Sequence, residues 1–267
     1  MILFSTLKSS VFYYPTDYST GFLIVGDFFR KYAYAVWYTV VISWKTDGFR
    51  KCKYSLFRTN FFRKDFSSMK AYERLLSYVK IFTPSNEEST SSPSSRCQFD
   101  LARLLVEELK GLGISDVTLD DHCYVYAHLP ATEGLEHCKA LGFIAHMDTV
   151  SDFCDHAVTP VITENYDGKD LPLGTSGRTL SPEMFSHLTS LAGRTLITSD
   201  GTTILGADDK AGIAEILTAL EHILTEKIPH GPLCVAFTPD EEIGMGPAHF
   251  NVKKFGADYA YTLDGDT

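Results

Sequence analysis

Three segments of the chain repeat their apolar side chains every three to four residues, the spacing at which helical side chains share one face. The pattern predicts helices over 69–80, 97–112 and 210–226. We expect the first helix to end before Pro84, because the residue preceding a proline avoids the helical conformation. The second is expected to stop at Gly111 and Gly113, since glycine commonly ends a helix.

Short runs rich in β-branched and aromatic residues lie between these helices and predict strands. The predicted strands are 117–119, 124–129, 140–145, 196–198, 203–205, 233–237 and 259–263. Asp200-Gly201 is a typical turn pair, so we expect 196–198 and 203–205 to form a hairpin. The polar stretch 151–193 shows little periodicity and is expected to be loop with short elements. Strands that alternate with long helices indicate an α/β fold with a mixed, partly parallel sheet sandwiched by helices.

The composition changes sharply near residue 69. Residues 1–68 hold 19 of the 34 aromatic residues and 10 lysines and arginines against 4 acidic residues, whereas the remaining 199 residues hold 14 against 30. Such a shift predicts a boundary, with a new domain beginning at Met69. The segment 1–68 is either an aromatic, basic extension that touches a membrane surface or a partner, or upstream sequence translated from a wrong start codon. Its lack of clear periodicity favours the second interpretation.

Charge and cysteine content exclude several classes of function. The net charge of -10 argues against a nucleic-acid partner, because neutralising phosphates requires a basic face. The most apolar stretch, 33–44, is well short of the ~20 residues that a bilayer requires, so no membrane span is expected. The six cysteines form no CxxC pair, which indicates free thiols and a cytoplasmic protein rather than a disulfide framework or a thiolate metal site.

Candidate chemistry lies in four acid-rich motifs that follow predicted strands. They are AHMDT at 145–149, GADDK at 206–210, TPDEEIG at 238–244 and LDGD at 263–266. Each motif alone is a weak signal. The pair Asp208-Asp209, for example, could simply cap a helix, where acidic side chains are favoured by the helix dipole.

Together the four motifs indicate a metal site. Functional residues of α/β sheets gather just past the strand ends, so at least five carboxylates and the imidazole of His146 should meet there. These carboxylates would repel one another and shift their pKa values strongly unless divalent cations supplied the counter-charge. One imidazole among carboxylates, without a thiolate, suits zinc, or less specifically cobalt or manganese.

The strings AHMDTV, GADDKAGIAEI, FTPDEEIG and YTLDGD, in this order and spacing, resemble the signature of a family of two-zinc peptidases and deacylases. That family includes carboxypeptidase G, carnosinase-like dipeptidases and succinyl-diaminopimelate desuccinylase. Residues 163–205 are more similar to its tripeptide aminopeptidases than to its other members. The resemblance covers 69–267, which it identifies as the N-terminal part of a zinc-peptidase catalytic domain, and it implies hydrolysis of the N-terminal residue of tripeptides.

The resemblance also implies a role for each site residue. It implies His146, Asp208 and Asp264 as ligands of one zinc ion, and Asp208 and Glu242 as ligands of the second. The bridging carboxylate would hold the two ions about 3.5–4 Å apart, so that they share a hydroxide. Glu241 would be the catalytic general base, and Asp148 would assist catalysis by accepting a hydrogen bond from His146 and fixing its tautomer. The Asp208–Asp209 peptide is cis in this family.

Further parts that the resemblance implies lie beyond this sequence. They are one more histidine ligand of the second zinc, past residue 267, and a lid and dimerisation domain through which full-length relatives form homodimers. We therefore expect an incomplete catalytic domain. Two alternatives stay open: another zinc amide hydrolase, such as a dipeptidase or deacylase, and an inactive metal-binding fragment.

Overall fold

The structure is a computed structural model, and it describes residues 69–265. The predicted boundary at residue 69 and the two interpretations of residues 1–68 concern a part of the chain outside the described residues. Asp266, the last acidic residue of the fourth motif, also lies outside them.

The described residues form a five-stranded mixed sheet and two small two-stranded sheets. In chain order the strands are β1 (Asp116–Leu119), β2 (Val125–Leu129), β3 (Leu141–His146), β4 (Pro160–Thr163), β5 (Leu171–Leu173), β6 (Arg178–Leu180), β7 (Leu196–Ser199), β8 (Leu233–Thr238) and β9 (Tyr259–Thr262). The large sheet has the order β1-β2-β8-β3-β9, while β4 pairs with β7 and β5 pairs with β6.

Three neighbouring strands of the large sheet run parallel. β3 pairs in parallel with β8 on one side and with β9 on the other, whereas β1–β2 and β2–β8 are antiparallel. His146 is level with Thr238, and Ile144 is level with Thr262. The carboxyl ends of β3, β8 and β9 therefore meet at one edge, and the predicted mixed, partly parallel sheet is confirmed.

Four α-helices cover the two faces of this sheet within the described residues. They are α1 (Ala71–Tyr78), α2 (Gln98–Gly111), α3 (Lys210–Thr225) and α4 (Val252–Phe255). Alternate side chains of β8 point to opposite faces: Phe237 joins the core formed with α1, α2 and α3, whereas Ala236 joins a smaller cluster that contains Phe255 of α4. The helices predicted over 69–80, 97–112 and 210–226 are thus confirmed; α3 begins where predicted, and the other ends are one to two residues shorter.

A buried arginine joins the three large helices. The guanidinium of Arg74 on α1, with 3% of its side chain exposed, binds Glu108 of α2 at 2.6 Å and Glu221 of α3 at 2.7 Å. It also donates to the carbonyl oxygen of Met69 at 2.7 Å. The first described residue is therefore tied directly into the helical layer.

The hairpin predicted across Asp200-Gly201 is wrong. A turn does occur there, with Gly201 at φ +85°, but residues 203–205 form no strand. The backbone amide of Ile204 donates to the carbonyl oxygen of Phe153 instead, and β7 pairs in an antiparallel manner with β4. The local turn pattern was correct, but the partner of β7 comes from the polar stretch 151–193.

Two further properties concern the helices and the cysteines. No helix between residues 69 and 265 combines the length and the hydrophobicity that spanning a bilayer requires. The five cysteines in this part of the chain are free thiols: Cys97, Cys123, Cys138, Cys154 and Cys234.

Candidate metal centre

Three of the predicted metal ligands converge at the carboxyl edge of the parallel strands. One side-chain ligand atom from each of His146, Asp208 and Asp264 lies within 4.8 Å of the other two. His146 ends β3, Asp264 follows β9 by two residues, and Asp208 precedes α3. Because Ile144 and Thr262 are paired, the register alone brings Asp264 level with His146. The convergence predicted from the strand-end motifs is present for these three residues.

The imidazole of His146 is fixed in orientation. Its Nδ1 atom lies 3.1 Å from the carbonyl oxygen of Asp148 and 3.3 Å from the carboxylate oxygen Oδ1 of the same residue, while Nε2 lies 3.0 Å from Oδ1 of Asp208. Burial lowers the pKa of His146, but hydrogen bonds to Asp148 and Asp208 outweigh it and raise the pKa to about 11. With Nδ1 held by Asp148, Nε2 is the nitrogen that faces the other ligands.

The two aspartates of the group influence each other. The hydrogen bond from His146 lowers the pKa of Asp208, whereas burial and the negative charge of Asp208 raise the pKa of Asp264. Gly265, the residue after Asp264, lies so near to Asp208 that a Cβ atom at position 265 would be 3.2 Å from Oδ2 of Asp208. Two carboxylates held this near to one imidazole are stabilised together by a divalent cation, which supplies positive charge to both.

Asp209 holds the backbone around this group of ligands. Its carboxylate is buried and accepts hydrogen bonds from the backbone amides of His146 and Gly212, each at 3.1 Å, so that it caps α3 and holds the end of β3. Burial raises the pKa of Asp209 well above its usual range. The Asp208–Asp209 peptide is cis, as the family resemblance implied.

The Glu241-Glu242 turn is attached to the same centre through Asp148. The carboxylate of Asp148, fully buried, accepts hydrogen bonds from the backbone amide of Glu241 at 3.0 Å and from that of Glu242 at 3.1 Å. Oε2 of Glu241 lies 3.7 Å from Nε2 of His146, and 48% of the Glu241 side chain is exposed. Asp148 therefore orients both the imidazole and the acidic turn, which is more than the sequence predicted for it.

Glu242 is not part of the group formed by His146, Asp208 and Asp264. Glu242 lines an open cavity of about 470 Å³ together with Glu87, Ser89, Ile243 and Met245. Burial raises the pKa of Glu242, and the negative charge of Asp208 raises it further against the opposing effect of His146. Glu242 is thus electrostatically coupled to the group without joining it.

Sequence reasoning missed several buried polar residues around the site. Lys210 is fully buried, donates to Oγ1 of Thr83 at 2.7 Å, and has its pKa lowered by burial to about 8. Asp240, directly before Glu241, is bound by Ser94 and Gln98. The only sequence signal for Lys210 and Asp240 was their position inside the motifs GADDK and TPDEEIG. In both motifs, neighbouring acidic residues were the predicted metal ligands or general base.

The donor set fits a divalent metal ion. One imidazole and two carboxylates within 4.8 Å of one another are ligands that zinc accepts, and cobalt and manganese accept the same atoms. The second nitrogen of His146 is held by Asp148, the arrangement typical of a metal-binding histidine.

The chain is similar to known peptidases. Residues 200–265, which contain Asp208, Glu241, Glu242 and Asp264, match Peptidase family M20/M25/M40. Peptidase T of Alkaliphilus oremlandii is 53% identical over 196 residues, which are 72% of this chain and 48% of that protein. Peptidase T of Bacillus licheniformis is 52% identical over 198 residues, 73% of this chain and 48% of that protein.

Solved structures show the same fold. The aminopeptidase PepT of Bacillus cereus superposes with a TM-score of 0.52 at 25% identity, over 74% of this chain and 43% of that one. A tripeptidase of Staphylococcus aureus gives a TM-score of 0.51 at 26% identity, with the same shares of both chains. The chain spans about half the length of the curated relatives it matches. With its mixed sheet and strand-end motifs, it belongs to Peptidase family M20/M25/M40 and is a homologue of the peptidase T proteins.

Proposed function

We propose that the protein is a zinc-dependent aminopeptidase that hydrolyses the N-terminal residue of tripeptides, with Glu241 as the general base. The observation that carries the proposal is the convergence of His146, Asp208 and Asp264 within 4.8 Å, with the Glu241 carboxylate 3.7 Å from the same imidazole. The relatives named peptidase T and the similar structure named a tripeptidase support the substrate class.

In this proposal the residues of the chain have distinct tasks at two zinc ions. His146, Asp208 and Asp264 would hold the first ion, and Asp208 and Glu242 would contribute to the second. When bound, the ions supply a Lewis acid for the scissile carbonyl and lower the pKa of an attacking water. Asp148 holds Nδ1 of His146, which keeps Nε2 available as the ligand atom.

Glu241 is suited to moving the proton. Its side chain is half-exposed, so a substrate can reach it, while its backbone amide is fixed by Asp148 at 3.0 Å. Its carboxylate would take a proton from the attacking water and donate it to the nitrogen of the leaving amine. A positioned general base of this kind contributes roughly 10²- to 10⁴-fold to the rate.

Cellular context and partners are part of the same proposal. We infer a cytoplasmic protein whose partners are short peptides. The free thiols support a reducing compartment, and the net charge of -10 argues against a nucleic-acid partner. A homodimer is proposed for the full-length protein, by analogy with the relatives to which the family resemblance points.

The test compares three substrates on the purified full chain with added zinc: a tripeptide with a free N-terminus, a dipeptide and an N-acyl amino acid. The tripeptide should be cleaved fastest, and its N-acetylated form should be cleaved slowly. Glu241→Gln should reduce kcat by about 10²-fold or more while zinc uptake is unchanged. The exposed Glu183→Gln is the matched control and should behave as the wild type.

Three results would contradict the proposal in different ways. Faster hydrolysis of the N-acyl amino acid would identify a deacylase, and faster hydrolysis of the dipeptide a dipeptidase. Uptake of zinc without hydrolysis of any of the three substrates would favour a metal-binding role for this chain.

A further inference from the structure

Asp240, the residue directly before the Glu241-Glu242 turn, is almost completely buried. Its carboxylate accepts three hydrogen bonds: from the backbone amide of Ser94 at 2.7 Å, from the Ser94 hydroxyl at 2.5 Å and from the side-chain amide of Gln98 at 2.7 Å. In return, the backbone amide of Asp240 donates to Oε1 of Gln98 at 3.3 Å. The partners of this carboxylate are thus Ser94, four residues before α2, and Gln98, the first residue of α2.

The backbone at Asp240 requires such support. Its φ angle is +56°, in the left-handed region that residues other than glycine rarely adopt. A residue keeps this conformation only where its surroundings hold it there. A carboxylate buried with no partner would also be strongly unfavourable, so the hydrogen bonds to Ser94 and Gln98 fix the side chain and the backbone together.

Two buried carboxylates therefore hold the acidic turn. Asp148, beyond the end of β3, binds the backbone amides of Glu241 and Glu242. Asp240 anchors the start of the same turn to α2, through Ser94 and Gln98. Neither of these contacts involves the side chains of Glu241 and Glu242. The conformation of the turn therefore sets the direction in which the two side chains point.

We propose that Asp240, bound by Ser94 and Gln98, is a positioning residue that aims Glu242 at the second zinc ion and Glu241 at the attacking water. The inference rests on the roles proposed above for these two glutamates. It adds a connection from α2 to the acidic turn that none of the sequence motifs contains. Asp240 itself touches neither substrate nor metal in this scheme.

The test exchanges donor and acceptor between the two partners in the full chain. Asp240→Asn keeps the size of the side chain and tolerates the left-handed backbone, but its amide nitrogen faces the donating group of Gln98. Adding Gln98→Glu restores the pair, because the new carboxylate accepts from Asn at 240 and still accepts from the backbone amide of that residue. Ser94→Ala is a milder variant that removes only the hydroxyl contact.

Two readouts are measured: amide hydrogen exchange of residues 241–243 without metal, and the stoichiometry and affinity of zinc binding. Asp240→Asn should accelerate exchange in the turn by about tenfold or more, the effect of one charged hydrogen bond left unmade. It should weaken the second zinc by about 10- to 100-fold and leave the first unchanged. The double variant should recover both values, and Ser94→Ala should fall between wild type and Asp240→Asn.

Asp258→Asn is the matched control. Its carboxylate also binds a backbone amide, that of Ala140 at 2.8 Å, but at the opposite end of β3 from His146. It should change neither readout. Unchanged exchange and unchanged second-zinc affinity in Asp240→Asn would overturn the inference, and so would faster exchange spread equally over α3, which indicates general destabilisation.

Failure of the proposed function gives a different pattern. If the wild-type chain takes up only one zinc ion, Asp208 and Glu242 do not hold the second ion without the further histidine that the family resemblance implies. The hydrogen-exchange experiment then tests by itself whether Asp240 positions the turn, because it requires no metal.

Discussion

The buried carboxylate of Asp148 accepts a hydrogen bond of 3.0 Å from the backbone amide of Glu241, 93 residues further along the chain. The same carboxylate lies 3.3 Å from Nδ1 of His146. One side chain thus sets the orientation of the central imidazole and of the proposed general base. Because β3 and β8 are parallel neighbours, both contacts are made at the shared carboxyl edge of these two strands.

Asp148→Asn should weaken zinc binding by about 10- to 100-fold, the usual effect of removing the partner that orients a metal-binding histidine. An amide has one acceptor oxygen, so it cannot serve both the imidazole and the two backbone amides of the turn. Titration calorimetry with zinc measures the loss. Asp155→Asn, on a side chain that is 87% exposed, is the control and should bind zinc as the wild type does. Equal affinities for the two variants would remove Asp148 from the site.

Gly212→Ala should lower stability and zinc affinity together. A Cβ atom at position 212 would lie 2.3 Å from Oδ1 of Asp209, the oxygen that caps α3. The carboxylate of Asp209 would have to move, and it also holds the backbone amide of His146. Urea denaturation and zinc titration on the same samples measure both effects.

The control for this substitution is Gly111→Ala, at the last residue of α2, where a Cβ atom meets nothing within 4 Å. That change should be neutral or should stabilise by up to about 1 kcal/mol, because alanine favours a helix over glycine. If both variants were stabilised alike, the close contact at Asp209 would have no energetic consequence.

Arg74→Met should destabilise the protein by about 3–5 kcal/mol, because it leaves the partly buried carboxylates of Glu108 and Glu221 without their shared cation. Arg103→Met is the matched control. Arg103 contacts Asp100 at 3.1 Å, but 62% of its side chain is exposed, so the loss should stay below about 1 kcal/mol. Urea denaturation of both variants measures the free energies of unfolding. A loss at Arg74 no greater than that at Arg103 contradicts the interpretation that this residue joins the three helices.

The sequence was sufficient to predict the part of the site that depends on strand ends. His146 ends β3 and Asp264 follows its parallel neighbour β9. Their convergence is therefore a consequence of sheet topology, which the alternation of strands and helices already indicated. Asp208 joins them because it lies two residues before a helix whose apolar periodicity was clear. For these residues, local pattern and tertiary position agree.

The remaining features depend on contacts that have no local pattern. Gln98 binds Asp240 across 142 residues, and each side chain alone is an ordinary polar residue of a helix start or a turn. The hairpin prediction failed for the same reason: Asp200-Gly201 does make a turn, but β4 supplies the partner of β7. Long-range pairing decides such cases, and turn chemistry cannot reveal it.

Zinc should stabilise the folded chain through His146. A ligand that binds only the folded state adds about 2.7 kcal/mol to the free energy of unfolding at a concentration 100 times its dissociation constant. Thermal unfolding of the wild type should therefore shift upward with zinc and return with a chelator. His146→Ala should lose most of this shift, because the imidazole is the only non-carboxylate member of the group with Asp208 and Asp264. His137→Ala, on an exposed histidine, should retain it; an equal shift in both variants would mean that zinc binds elsewhere.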